Sequence, residues 1–193
     1  MIITNGNSLK TRYLNVNNID IDKLANDIRN GKIVVMPTDT VYGIMAIHND
    51  FKAINKIYSI KQRSKEKPFI ILVSGIEMAT KIANIRKSDK NKISELWQEG
   101  NSPTTVILKR LDSTTETIAL RKPNYQILLE LITKLNVPLV STSANLSGKN
   151  ILQNFDEIKT TFNGKVEIIV DGPTQSSKPS TIIDFANNHI IRS

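Results

Sequence analysis

The chain contains no cysteine, which excludes disulfides, thiolate metal sites and cysteine catalysis, and is compatible with a reducing compartment. Histidine is scarce: His48 and His189 are the two present, and they show no metal-ligand spacing. No serine has a His and Asp set around it that would suggest a nucleophilic triad. No G-x-x-x-x-G-K-[ST] occurs, so a Walker loop is absent. The ten aromatics are not interleaved with the basic residues, as a stacking platform for single strands would require. The opening "MIITNGNSLKTRYLNV" has no apolar signal core, and no apolar run approaches the roughly 18 residues of a membrane span. The expectation is a cytoplasmic protein with no membrane partner.

What is present is ordinary globular composition, 39% hydrophobic and 23% charged over 193 residues, enough to bury a sizeable core. No repeat or linker breaks the chain, so a single domain over 1–193 is expected. The net charge is +8, and it is localised. Residues 52–110 carry 13 Lys/Arg against 5 Asp/Glu, while the remainder balances. Such a stretch suits an anion site, or a solvated lysine-rich face.

Hydrophobic periodicity alternates strands with helices. Strands are expected at 11–16, 32–37, 43–47, 68–73, 104–108, 117–120, 137–140, 166–170 and 180–185. Helices are expected at 20–31 (stopped by Gly31), 50–61 (capped by Asp50), 76–84, 89–97, 124–135 (capped by Asn124) and near 155–162. Segments 104–120 and the C-terminus read as antiparallel. The fold class is therefore α/β, a twisted sheet mixing parallel and antiparallel strands and flanked by helices.

Four segments could carry chemistry. "PTDTVYG" (37–43) sets Thr38, Asp39 and Thr40 where a buried strand stops. That is the usual ligand end of an α/β sheet, though an ordinary turn has the same composition. "KQRSKEKP" (61–68) holds Lys61 and Arg63 two apart, on one side if the segment is extended. A fork and a compact charge suit a polyphosphate, and basic residues also complement a helix C-terminus. "VPLVSTSANLSGKN" (137–150) follows an apolar run with Ser141, Thr142, Ser143, Asn145 and Ser147, more hydrogen-bonding groups than one helix cap needs. "DGPTQSSKPSTIID" (171–184) is a turn, a polar loop and a strand, and Arg121 closes the apolar "TIALR". Cations and hydroxyls without a nucleophile suit phosphate chemistry done by positioning and charge stabilisation.

Taken in order, "PTDTVYG", "KQRSKEKP", "ALRKP", "STSANLSG" and "DGP…PSTIID" resemble the YrdC family of threonylcarbamoyl-AMP synthases across nearly the whole chain, in its single-domain form. The family's W-P-G-P-x-T element stands here as "WQEGNSPTT" (97–105). The resemblance implies a YrdC-like sheet curled around a basic concave cavity. It implies a reaction of ATP, L-threonine and bicarbonate that yields threonylcarbamoyl-AMP and pyrophosphate. The product would pass to a downstream threonylcarbamoyl transferase for tRNA modification, with tRNA engaged indirectly or weakly. It further implies Lys61 and Arg63 as the catalytic pair. ATP would be held by Lys61, Arg63, Lys67, Thr117, Ser143, Asn145 and Arg192. Threonine would be held by Thr40, Arg121, Ser141 and Thr181, with Asn145 lining the same pocket. Mg²⁺ is expected with ATP, and no residue is assigned to it. If Ser141 and Ser143 face different ligands, the segment must bend between them, because residues two apart on a strand share a face. Two other readings remain open: a non-catalytic double-stranded RNA or tRNA binder, and a related carbamoyl-adenylate enzyme with another donor.

Overall fold

The computed structural model describes residues 9–152, 154–174, 178–187 and 189–192. Among these, β1 (Arg12–Asn15) leads through a 3-10 turn into α1 (Ile21–Arg29). Asp20 starts the helix by accepting the Lys23 N–H at 2.9 Å, and Leu24, Ala25 and Ile28 form its buried stripe. Gly31, at φ +78°, takes the left-handed turn that releases the chain into β2 (Val34–Met36). After β3 (Gly43–Ile47), α2 (Phe51–Lys61) is capped by Asp50, which accepts from the Ala53 N–H at 3.0 Å. The expected cap at Asp50 therefore lies where local chemistry put it, and Asp20, expected inside the first helix, caps it in the same way.

The chain continues through β4 (Ile70–Leu72), α3 (Ile76–Ala79), β5 (Ala83–Asn84), α4 (Lys87–Leu96), β6 (Thr104–Arg110) and β7 (Thr117–Arg121). Then follow α5 (Gln126–Leu135), β8 (Leu139–Ser143), α6 (Phe155–Phe162), β9 (Ile168–Asp171), β10 (Thr181–Asp184) and β11 (His189–Arg192). The strands form one sheet in the order β1-β9-β2-β3-β8-β4-β7-β6-β10-β11, with β5 added beside β6. β1–β9, β9–β2, β4–β7 and β6–β10 are parallel, and the other pairs are antiparallel. The mixed α/β sheet with flanking helices agrees with the pattern in the sequence.

Three local expectations are corrected. The helix expected over 76–84 stops at Ala79, and Ala83–Asn84 pair with Arg110 and Lys109 instead. Asn124 does not cap α5, which begins after Tyr125 with no side-chain cap. Its backbone N–H donates to Asp39 Oδ2 at 3.1 Å instead. β8 does not end before the hydroxyls. It runs through Ser143, with Ser141 opposite Met45 and Ser143 opposite Gly43.

The core is built from Val34, Val35 and Met36 of β2, Ile44 and Met45 of β3, Leu72, Leu120 and Leu139, with α1 packed on α5, α2 on β3 and α6 on β9. Among the described residues, no helix is long and apolar enough to cross a membrane.

Candidate active site

A cavity of about 330 Å³ opens where β3, β4, β7, β8 and β10 meet their connecting loops. This is near the lower end of the roughly 300–1,000 Å³ typical of small-molecule sites. Its sheet-side wall shows the two-residue period of strands. Ile70 and Leu72 come from β4, Ala119 and Arg121 from β7, Ser141 and Ser143 from β8, where the intervening Thr142 also borders the cavity. The β2–β3 loop adds Thr38 and Thr40, the segment after α2 adds Arg63, and the C-terminal strands add Ser180, Ile182 and Arg192. Gly43 leaves the floor open: a Cβ there would meet Ser141 Oγ at 3.1 Å and Thr38 Cγ2 at 3.3 Å.

Arg121 sits deepest among the lining cations, with 6% of its side chain exposed against 1% for Asp39, its ion-pair partner at 3.3 Å. Burial pulls its pKa down and Asp39 opposes that pull; the guanidinium stays charged throughout. Its Nη1 donates to Thr40 Oγ1 at 3.2 Å. The hydroxyl protons of the loop can be placed by counting. Thr38 gives its single proton to the Val41 carbonyl at 2.8 Å, so in the 3.0 Å contact between the two hydroxyls Thr40 is the donor. Thr40 Oγ1 therefore has only acceptor capacity left, which suits an amine or amide N–H. Beside it Arg121 offers donors for a carboxylate. The Tyr42 hydroxyl holds this loop in place by donating to the Gly172 carbonyl at 2.6 Å and accepting the Gly172 N–H at 3.2 Å. Residue 172 must be glycine for this approach, since a Cβ would lie 2.6 Å from Val16 Cγ2.

The outer cations are held differently. Arg63 donates to the carbonyls of Lys67 and Pro68 at 3.0 and 3.1 Å. Arg192 donates twice to the Ser180 carbonyl, at 3.0 and 2.6 Å. Neither has a carboxylate partner among the described residues. Their N–H groups rest on neutral acceptors that an anion can displace.

Lys61 is placed unlike the sequence reading. Gln62 takes a left-handed conformation at φ 52°, so residues 61–63 are not extended. Arg63 lines the cavity, while Lys61 is 2% exposed. The Lys61 ammonium donates to the carbonyls of Ser143 and Asn145, at 2.5 and 2.6 Å, and to Asn145 Oδ1 at 3.3 Å. All three protons are used to pin the turn after β8. Burial, with Arg63 nearby adding to it, lowers its pKa to about 8. Asn145 belongs to the same anchor. Its Oδ1 accepts from the Ser143 hydroxyl at 2.6 Å and its Nδ2 donates to the Lys149 carbonyl at 2.6 Å.

The structure thus gathers Thr40, Arg63, Arg121, Ser141, Ser143 and Arg192 around one cavity. Lys61 and Asn145 stand behind its wall, and Lys67 is exposed outside it. Thr117 starts β7, about 13 Å along the strand from Arg121, in a separate depression with His48 and Arg110. Thr181 is not a lining residue, whereas its neighbours Ser180 and Ile182 are, as strand alternation requires. Ser180, 3% exposed and bonded to Thr105 Oγ1 at 2.8 Å, takes the place the sequence reading gave to Thr181. The expected bend between Ser141 and Ser143 is absent. Both serines lie on one face about 7 Å apart, so two ligands lying side by side in one cavity can each meet one of them without a bend. The chain turns only after Ser143, where the Ala144 N–H donates to the Tyr42 carbonyl at 2.7 Å.

In "WQEGNSPTT" the Trp97 indole N–H donates to the Thr104 carbonyl at 3.0 Å, closing the loop onto β6. Among the described residues no carboxylate lines the cavity, and no cluster of three His, Asp or Glu is placed to hold a metal ion. The lining does not fit a protein-held cation.

Residues 26–193 match the Sua5/YciO/YrdC family, described as "Telomere recombination". A protein of Methanocaldococcus jannaschii is 38% identical over 177 residues, covering 89% of this chain and 83% of its own length. The threonylcarbamoyl-AMP synthase of Pseudoalteromonas translucida is 30% identical over 84% of this chain and 91% of its own. Among solved structures, Pyrococcus abyssi Sua5 complexed with L-threonine superposes with a TM-score of 0.82 at 31% identity. That match covers 91% of this chain and only 55% of the P. abyssi chain. With a match over most of its length and relatives of this kind, the chain belongs to the Sua5/YciO/YrdC family as a threonylcarbamoyl-AMP synthase-like member.

Proposed function

We propose that this protein is an L-threonylcarbamoyladenylate synthase, and that one observation carries the reading. A buried guanidinium and an acceptor hydroxyl, Arg121 and Thr40, share a cavity with two guanidiniums held only by carbonyls, Arg63 and Arg192. The first pair suits the carboxylate and nitrogen of an amino acid. The second suits a polyphosphate. That the P. abyssi relative is solved in complex with L-threonine supports an amino acid as one of the substrates.

In this reading the threonine amine adds to the carbon of bicarbonate with loss of water, giving a carbamate. A carbamate oxygen then attacks the α-phosphorus of ATP, and pyrophosphate leaves. The chain supplies no covalent group. Arg121, Thr40 and Ser141 orient threonine; Arg63, Arg192 and Ser143 meet the phosphates and offset the charge that builds between two anions. Lys61 and Asn145 hold the turn that carries Ser143. The apolar walls from Ile70, Leu72 and Ile182 exclude water from a product that hydrolyses readily. Mg²⁺ would come with the phosphates of ATP, and no step here depends on it. The adenylate would then pass to a transferase that modifies tRNA.

The test is pyrophosphate release with ATP, threonine or bicarbonate omitted singly. Release that needs all three is expected. Release independent of threonine would overturn the assignment, and an inert protein with steeply salt-dependent RNA binding would favour a binding module.

A further inference from the structure

We propose that Asp39 is a positioning residue: it orients the Arg121 guanidinium for the carboxylate of the amino-acid substrate without touching that substrate itself. This rests on the synthase reading of the cavity.

Asp39 does not line the cavity, but it meets Arg121 from behind. Its two oxygens have different tasks. Oδ2 accepts the Asn124 N–H at 3.1 Å, which fixes the carboxylate to the connection between β7 and α5, just past Arg121. Oδ1 stands 3.3 Å from Arg121 Nη2. The adjacent Thr40 accepts from Nη1, so two consecutive residues of one loop meet both terminal nitrogens of the fork, Thr40 by a hydrogen bond and Asp39 by charge alone. Arg121 Nε and Asp39 Oδ1 are both buried without a hydrogen-bond partner, so Asp39 acts on the fork through its charge and not through a hydrogen bond. Backed by that charge and bonded to Thr40, the guanidinium is held in one plane at the cavity wall. Asp39 also offsets the buried positive charge, so the subsite is near neutral before an amino acid enters.

Asp39→Asn keeps the size and an acceptor for Asn124 while removing the charge. The experiment measures kcat and separate KM values for threonine and ATP. It adds calorimetric titration with L-threonine alone, and the melting temperature. The expected result is a threonine KM and Kd raised about tenfold, the scale of one charge-assisted hydrogen bond, with the ATP KM changed by less than about twofold. Adding Asp39→Asn to Arg121→Gln should weaken threonine binding no further, since no fork remains to orient. An unchanged threonine KM, an equal rise in both KM values, or a loss of binding matched by collapse of the melting transition would each overturn the role of Asp39. If the unaltered protein neither binds threonine nor requires it for pyrophosphate release, the synthase reading falls and this inference with it.

Discussion

Arg121 and Lys61 are two cations buried within one neighbourhood, 5% and 2% exposed, and they are compensated in different ways. Arg121 faces a carboxylate, Asp39. Lys61 faces only carbonyl oxygens, those of Ser143 and Asn145 and the Asn145 amide. The arginine stays charged and lies on the cavity wall, with donors left to offer. The lysine has spent its protons on the turn that carries Ser143, and its pKa has dropped to about 8. One buried charge is therefore set up to meet a ligand and the other to hold a loop. Their chemical type alone, Lys or Arg in a basic stretch, does not reveal this difference.

The comparison breaks most visibly at Arg121. Arg121→Gln leaves Asp39 buried without its counter-charge, and should cost about 3–5 kcal/mol by denaturant titration. Adding Asp39→Asn should recover part of that loss. If the single variant melts with the parent, the pair contributes nothing to the fold and the ordering argued here is wrong.

At Lys61 the expected loss is smaller. Lys61→Met removes a desolvated charge, but it also strands the buried acceptors of residues 143 and 145, for a net cost of about 1–3 kcal/mol. Hydrogen exchange should show the Ser147 amide, which donates to the Lys61 carbonyl at 2.9 Å, losing protection as the turn loosens. The sign of the pH effect follows from the lowered pKa. Between about 8 and the ordinary value of 10.5, the unfolded chain binds this proton more than the folded one does. Stability relative to Lys61→Met should therefore rise with pH across that window, and it should be flat below pH 8. A falling difference would mean that the carbonyls raise the pKa instead of burial lowering it.

The architecture was legible where local chemistry and period agree. Asp50 caps a helix whose apolar stripe is regular, and the apolar runs at 32–37, 43–47 and 68–73 contain β2, β3 and β4. Long-range choices were not legible. Ala83–Asn84 became a strand because Lys109–Arg110 offered an edge, and Asn124 gave up capping because Asp39 claimed its N–H. In the site, Arg121 drew attention as a charge closing an apolar strand, and Ser141 as one of more hydrogen-bonding groups than a helix cap needs, although β8 runs on through Ser143. Lys61 was misplaced because one left-handed residue, Gln62, cancels the alternation assumed for 61–63. Thr181 was chosen over Ser180 by motif position, and only the strand's register decides between them. Asp39 stood in a recognised motif, but nothing local names Arg121 as its partner.

The neutral counterpart to these charges is Tyr42, whose hydroxyl ties the same loop to Gly172. Tyr42→Phe should cost about 1 kcal/mol and leave the Arg121–Asp39 contact in place. A larger loss, accompanied by a raised threonine KM, would show that this tether and not the ion pair sets the loop.

The smallest effect on stability is expected at Arg63, and it sharpens the contrast with Arg121 for that reason. Its hydrogen-bond partners are the carbonyls of Lys67 and Pro68 on an exposed loop, which water can replace. That leaves its stacking over the Phe69 ring, 5.4 Å from the centroid, as the contact that Arg63→Ala removes. The change in stability should be about 0.5–1 kcal/mol, the scale of that cation–π contact. Its effect on ATP should be larger, because exchanging neutral carbonyls for phosphate oxygens turns ordinary hydrogen bonds into charge-assisted ones. A rise of about tenfold in the ATP KM corresponds to one such contact, and the threonine KM should hardly move. Salt provides the internal control. A solvent-reachable guanidinium is screened over about 8–10 Å at physiological ionic strength, so the ATP KM of the parent should climb with added salt and that of Arg63→Ala should climb less. Equal salt slopes would mean that Arg63 does not meet the phosphates, and the outer half of the cavity would then rest on Arg192 alone.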